Sequence, residues 1–169
     1  MAKSPHSIPP PSLARRYYEL RALAWPGATA EFRGGRELHY RFQLSPSDFG
    51  RQYTCRLQMT PDSRMPSVFV LRPDLCLLAS DRPLPHVYPH GGVGTKLCLW
   101  WPKRREWNPQ MALAETYLAW TAEWLWYFEE WLLDGVWSGG GEHPTPRVSR
   151  RRMRAMIAAA PQSHQAIAA

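Results

Sequence analysis

The chain has 169 residues, 44% of them hydrophobic and 21% charged, with nine Trp, a composition that suits one compact domain with its own core and excludes a fibrous or wholly disordered chain. The net charge of +7 belongs to the ends, because residues 12–144 carry 15 Arg and Lys against 14 Asp and Glu, and the remaining six basic residues are Lys3 and five arginines from Arg147 to Arg154. The run RVSRRRMR therefore reads as a solvated tail, and nucleic acid is not an expected partner.

The opening MAKSPHSIPPP is Pro-rich, is expected to be disordered or extended over residues 1–11, and lacks the apolar core of a signal peptide. With three cysteines, an odd number, the expectation is a reducing cytoplasm with free thiols. Ser12 is placed to cap a helix over SLARRYYELRALA. Leu13, Tyr17, Leu20 and Ala24 share one face, Arg15, Arg16, Glu19 and Arg21 project elsewhere, and Trp25-Pro26-Gly27 stops it. The runs ATAEF, ELHYRFQL, QYTCRLQM and PSVFVLR follow, separated by Gly34-Gly35, SPSDFG and TPDSRMP, and read as an antiparallel meander of three or four strands.

From Pro73 to Pro109 the periodicity disappears in favour of prolines, glycines and histidines, and irregular loops of this length are more often functional than not. Asn108-Pro109 suits a helix start, with Asn as cap and Pro in the first turn, and Gly135 suits the end after Asp134. Within that helix Leu113, Tyr117, Trp120, Trp124, Phe128 and Trp131 form one stripe, and Glu115, Glu123, Glu129, Glu130 and Asp134 gather on the other side. Five acids exclude a membrane span and leave an amphipathic core helix. Trp126 and Leu133 lie among the acids, where they either meet a partner or are covered by the tail. WSGGGEHP (137–144) is a Gly-rich turn without the strand and Lys-Ser/Thr of a phosphate loop. The segment 145–169 is expected to be a flexible basic tail with at most one short Ala-rich helix.

Alternation puts Cys55 on the buried face of its strand with Tyr53 and Leu57, and the leucines beside Cys76 place it in the core. Cys98 shares the Leu-Cys-Leu flanks of Cys76, yet His86, His90, Lys96, Lys103, Arg104 and Arg105 lie close in sequence, a cationic setting that favours thiolate. Spacing alone leaves a metal ligand, a Cys/His hydrolase or a structural thiol open. No two cysteines are closer than 21 residues, and His86 with His90 makes only half a metal site.

Taken in order, the helix, the meander, the Pro-rich flap, Leu97-Cys98-Leu99 and Trp107-Asn108-Pro109 resemble the ubiquitin-conjugating-enzyme family. Leu84-Pro85-His86 stands where that family has His-Pro-Asn, and Tyr88 falls where it often has an aromatic or aliphatic residue. More narrowly, the long Trp-rich helix followed by WSGGGEHP resembles the bacterial conjugating-enzyme-like proteins of CBASS antiphage systems. The resemblance covers about residues 12–134, within an expected domain of residues 12–144, and implies an α+β fold of conjugating-enzyme type. It implies Cys98 as a nucleophile carrying a thioester and His86 as oxyanion donor or flap-holder in place of Asn. Trp107 and Pro109 are supporting residues, and His143 or Glu142 reaches the site from the Gly-rich turn. The twelve-residue step from His86 to Cys98 predicts an extra turn, PHGGVGT, over the site. No cofactor and no metal are implied. The expected partners are a cGAS-like nucleotidyltransferase or a ubiquitin-like protein, with an activating enzyme as a further candidate. The alternative is a non-catalytic binding module of the same fold.

Overall fold

The computed structural model describes residues 9–62 and 65–141. It is an α+β structure: helix α1 (Leu13–Ala22), strands β1 (Thr29–Arg33), β2 (Glu37–Leu44), β3 (Tyr53–Met59) and β4 (Ser67–Arg72), a short helix α2 (Leu75–Leu78), strands β5 (Val87–Tyr88) and β6 (Thr95–Leu97), and helix α3 (Ala119–Asp134). The strands form one sheet in the order β1-β2-β3-β4-β6-β5, and every pairing is antiparallel. The meander, expected to have three or four strands, has four, and the Pro-rich stretch adds a two-stranded hairpin that its sequence conceals. Strands of two and three residues are too short to display an alternating pattern.

Alternation explains the meander. Tyr53, Cys55, Leu57 and Met59 are buried along β3, as are Tyr40, Phe42 and Leu44 along β2. This inner face joins Leu113, Tyr117, Trp124, Leu125, Phe128 and Trp131 in one core; each large apolar side chain so buried contributes about 1.5–3 kcal/mol. The predicted stripe is thus the core face of α3, with Trp120 partly buried at its edge. Glu129 leaves the expected acidic side to accept from the backbone N–H of Arg51 at 2.8 Å and from Tyr53 Oη at 3.0 Å. Gly135 closes the helix with φ 78° and its N–H on Trp131 O, the left-handed cap that glycine adopts without steric cost. Trp126 and Leu133 are 46% and 90% exposed.

Helix α1 begins as the sequence predicts, with Ser12 Oγ accepting from Arg15 N, but two of its polar residues turn inward. Arg16 is 3% exposed, pairs with Glu19, and donates to the carbonyls of Pro109 and Met111. Glu19 in turn accepts from Leu113 N. A buried charge is tolerated only when paired and hydrogen-bonded, and here the pair satisfies backbone groups that a loop entering the core leaves open. The same contacts account for a second departure. Asn108 accepts from Gln110 N, but residues 109–112 make a turn rather than helix, and the helical run opens as a π-turn at Ala114–Leu118. Pro109 consequently lies outside the helix, its carbonyl held by Arg16.

Among the described residues no helix is long and apolar enough to cross a membrane. The expectations for residues 1–8 and 142–169, including the basic tail, lie outside the described residues.

Candidate active site

Cys98 directly follows β6. Its N–H donates to His86 O at 2.9 Å, one step beyond the β5–β6 ladder that pairs Val87 with Leu97 and Tyr88 with Lys96. The hairpin therefore fixes the cysteine against the flap, and a second bond holds the flap to the core, where Trp124 Nε1 donates to His86 O at 3.1 Å. The His86 imidazole stacks on Trp137, centroids 5.0 Å apart at 26°.

His86 has φ 48°. This left-handed region is costly for most residues and several-fold enriched in Asn, Asp and His. A histidine is thus among the residues that this conformation accommodates. The flap is held through the His86 carbonyl, while the ring forms part of the cavity wall.

That cavity, about 570 Å³, is lined by Cys98, His86, Trp101, Glu123, Trp124 and Trp137, among others, and by Gly139 to Gly141. The Gly-rich turn therefore reaches the site. A Cβ on Gly141 would stand 3.1 Å from His86 Cε1 at a backbone φ of 83°, so the close approach and the conformation both favour glycine. Glu142 and His143 lie outside the described residues. Trp107 is buried, its ring 5.4 Å from Tyr117 at 84° and 6.0 Å from Trp100. It supports Trp100, whose Nε1 donates to Tyr117 Oη at 2.9 Å. Pro109 lines a separate cavity with Trp107, Pro10 and Pro11.

The electrostatics reverse the sequence expectation. Burial pushes the Cys98 thiol up, and a hydrogen bond with Tyr88 Oη, 3.3 Å from Sγ, works in the opposite direction. The nearby cations do not hold a thiolate: Lys103 and Arg104 lie over the Trp101 ring at 5.5 and 5.1 Å, and Lys96 over Tyr88 at 5.7 Å. Sequence proximity misled because these side chains settle on aromatic faces, where cation–π attraction holds them. His90 packs on Phe69 at 4.8 Å, and none of residues 89–95 lines the cavity. The extra turn therefore leans on β4 instead of covering the cysteine.

The other thiols differ from Cys98. Cys55 is buried, and its thiol is pushed up to about 12 by burial. Cys76, expected in the core, is exposed. It sits on α2, where Asp74 caps the N-terminus through Cys76 N and Leu75 supplies the buried contact. A single helical turn buries one side, and the leucine pair that suggested a core straddles that turn, with Leu77 74% exposed. Among the described residues no group of three or more His, Cys, Asp or Glu could hold a metal ion.

The sequence assigns no chemistry to two site residues. Tyr88 is there only an aromatic position, and its contact with Sγ requires the hairpin. Trp137 is there only part of a turn. A tryptophan opening a Gly-rich segment was the available signal, since an isolated aromatic in such a turn needs a surface to pack on. Lysine is also scarce: the chain has three, Lys3, Lys96 and Lys103, among its 21 basic residues.

A half-buried cysteine tied to a flap beside a six-stranded antiparallel sheet and a long helix fits the general form of a ubiquitin-conjugating-enzyme-like protein. Residues 17–144 match the family described as Type II CBASS E2 protein, and the chain belongs to that family. No curated protein matches the chain.

Proposed function

We propose that this CBASS-associated protein is a conjugating enzyme that carries the C-terminus of a partner as a thioester on Cys98 and passes it to a lysine amine. The observation that carries this reading is the placement of Cys98, whose half-buried Sγ opens into a cavity that the flap, α3 and the Gly-rich turn wall together. The Cys98 thiolate attacks the activated carboxyl carbon, a C–S bond forms and the leaving group departs. The lysine amine then attacks the same carbon, the C–S bond breaks, sulfur leaves as thiolate, and the amine proton passes to solvent or to the thiolate.

The geometry supports particular roles. Because Cys98 N–H is engaged by His86 O, oxyanion stabilisation falls to side chains, and Tyr88 Oη and the His86 ring are the candidates. The proton that Cys98 loses leaves a thiolate that Tyr88 stabilises by donating to it, as the direction of its effect on the thiol indicates. Glu106, Glu123 and Arg104 line the cavity together with Trp101, Trp120 and Trp124, an aromatic wall along which the apolar stem of an incoming lysine can lie. The transferred chain is a cGAS-like nucleotidyltransferase, as family membership suggests, or a ubiquitin-like protein, and the protein acts in the cytoplasm.

The raised thiol of Cys98 favours a second reading, a non-catalytic binding module in which the cysteine is only retained. The same experiment decides between the two. Purified protein is incubated with the nucleotidyltransferase or ubiquitin-like partner and any activating enzyme from its own system, then resolved without reductant. A thiol-labile adduct absent from Cys98→Ala supports the enzyme. Stable association with no adduct under any combination supports the module.

A further inference from the structure

The face of the sheet turned away from the core carries a row of cross-strand neighbours. Arg41 on β2 pairs with Arg56 on β3, Arg56 with Phe69 on β4, Phe69 with Lys96 on β6, and Lys96 with Tyr88 on β5. We propose that an acidic segment of the acyl donor docks across Arg41, Arg56 and Lys96 and leads its carboxyl terminus past Tyr88 to Cys98. The inference rests on the thioester reading and names the chemistry of the donor.

Three observations carry it. First, the row is cationic and its charges are unpaired: among the described residues no carboxylate forms an ion pair with Arg41, Arg56 or Lys96, the ion pairs being Arg16–Glu19, Arg33–Glu31, His39–Glu37 and Arg51–Glu129. Second, Arg56 is positioned rather than loose. Its guanidinium lies 4.7 Å over the Phe69 ring, and its Nε is buried with no hydrogen-bond partner. Burial and the like charges of Arg33 and Arg41 strain its protonated form, with Glu37 the one carboxylate acting in its favour. That carboxylate already accepts from His39 Nε2 and Gln58 Nε2. An incoming anion relieves the crowding of like charges.

Third, the row is continuous with the cysteine. Lys96 lies over Tyr88, whose Oη contacts Cys98 Sγ, and a groove of about 310 Å³ lined by Pro66, Tyr88, Lys96, Leu97, Trp100 and Pro102 runs beside them. With strands about 4.8 Å apart, the three steps from Arg41 to Lys96 span about 14 Å, the length of four or five extended residues. A short acidic peptide fits this track better than a phosphate backbone, because Glu31 and Glu37 pair with Arg33 and His39 at its far end.

The test uses the full chain carrying Cys76→Ser, which removes the exposed thiol, and two fluorescent glycine-ending peptides activated as mercaptoethanesulfonate thioesters. One peptide bears four glutamates upstream of its end and the other four glutamines. Loading exchanges one C–S bond for another: Cys98 thiolate attacks and mercaptoethanesulfonate leaves as the thiolate, so no activating enzyme is needed. The acidic probe is expected to load about tenfold faster at low salt, the gap closing at high salt. Arg41→Glu, an exposed position three strands from the cysteine's own strand, slows the acidic probe more than the neutral one and so narrows the gap. Equal loading of the two probes at low salt, or an equal slowing of both by Arg41→Glu, overturns the docking track while the thioester chemistry stands. Loading of neither probe overturns both. An oligonucleotide that binds in an Arg41-dependent way, without any preference between the probes, assigns the face to nucleic acid instead.

Discussion

Cys76 and Cys98 stand in the same tripeptide, Leu-Cys-Leu, and share almost nothing else. Around Cys76 the tripeptide forms one helical turn that buries Leu75 and leaves both the thiol and Leu77 in solvent. Around Cys98 it closes a hairpin, burying Leu97 in the core and setting the sulfur between Tyr88 and the indoles of α3 and the Gly-rich turn. The difference lies in what the rest of the chain brings to each. Asp74 caps the first, while the second receives His86, Trp124 and Trp137 from 12 to 39 residues away. A thiol's chemistry is therefore set by long-range packing rather than by its immediate flanks.

Replacing each cysteine in turn is the sharpest way to break this comparison. Cys98→Ala is expected to abolish adduct formation completely and Cys76→Ala to leave it unchanged, read on non-reducing gels. The wall comes next. Trp124→Ala removes a buried ring and the bond to His86 O and is expected to cost about 3–5 kcal/mol in urea unfolding. Where the protein remains folded, alkylation of Cys98 quickens and that of Cys76 does not, measured by mass spectrometry of iodoacetamide-treated protein.

A smaller effect is expected at Tyr88. Burial raises the Cys98 thiol and the Tyr88 bond lowers it, so Tyr88→Phe leaves burial unopposed and the thiol rises further. The thiolate fraction near neutral pH falls, the inflection of the alkylation rate moves to higher pH, and the rate at neutral pH drops about fivefold, the equivalent of one hydrogen bond of about 1 kcal/mol. Least of all, Arg104→Gln is expected to leave that pH profile in place, because its guanidinium lies on Trp101. A marked upward shift on Arg104→Gln would restore the cationic environment that the sequence suggested.

Features set by local pattern were legible. The four meander strands, the Ser12 cap, the Gly135 stop and the aromatic stripe of α3 all follow from alternation, helical period or a single capping residue, and the structure has them within a residue or two. Features requiring a distant partner were not. Arg16 and Glu19 look like solvent residues until the Pro109 to Leu113 turn supplies the backbone groups they bind. The β5–β6 hairpin depends on pairing with β4 more than on its own residues. At the site, Cys98 and His86 were singled out on motif order, and the structure brings them together through one backbone hydrogen bond. Tyr88 as the sulfur's partner and the half-buried setting that raises the thiol could only come from packing.

The scarcity of lysine has a consequence for any chain that bears a reactive acyl group. A guanidinium remains protonated throughout the physiological range and cannot attack a carbonyl, whereas a lysine loses its proton often enough to do so. With 18 of its 21 basic residues arginine, the protein keeps its positive charge while presenting few amines of its own. The two lysines that the structure describes rest on the faces of Tyr88 and Trp101, where cation–π attraction holds them. On the proposed thioester reading, such a surface is chemically insulated from the group it would carry.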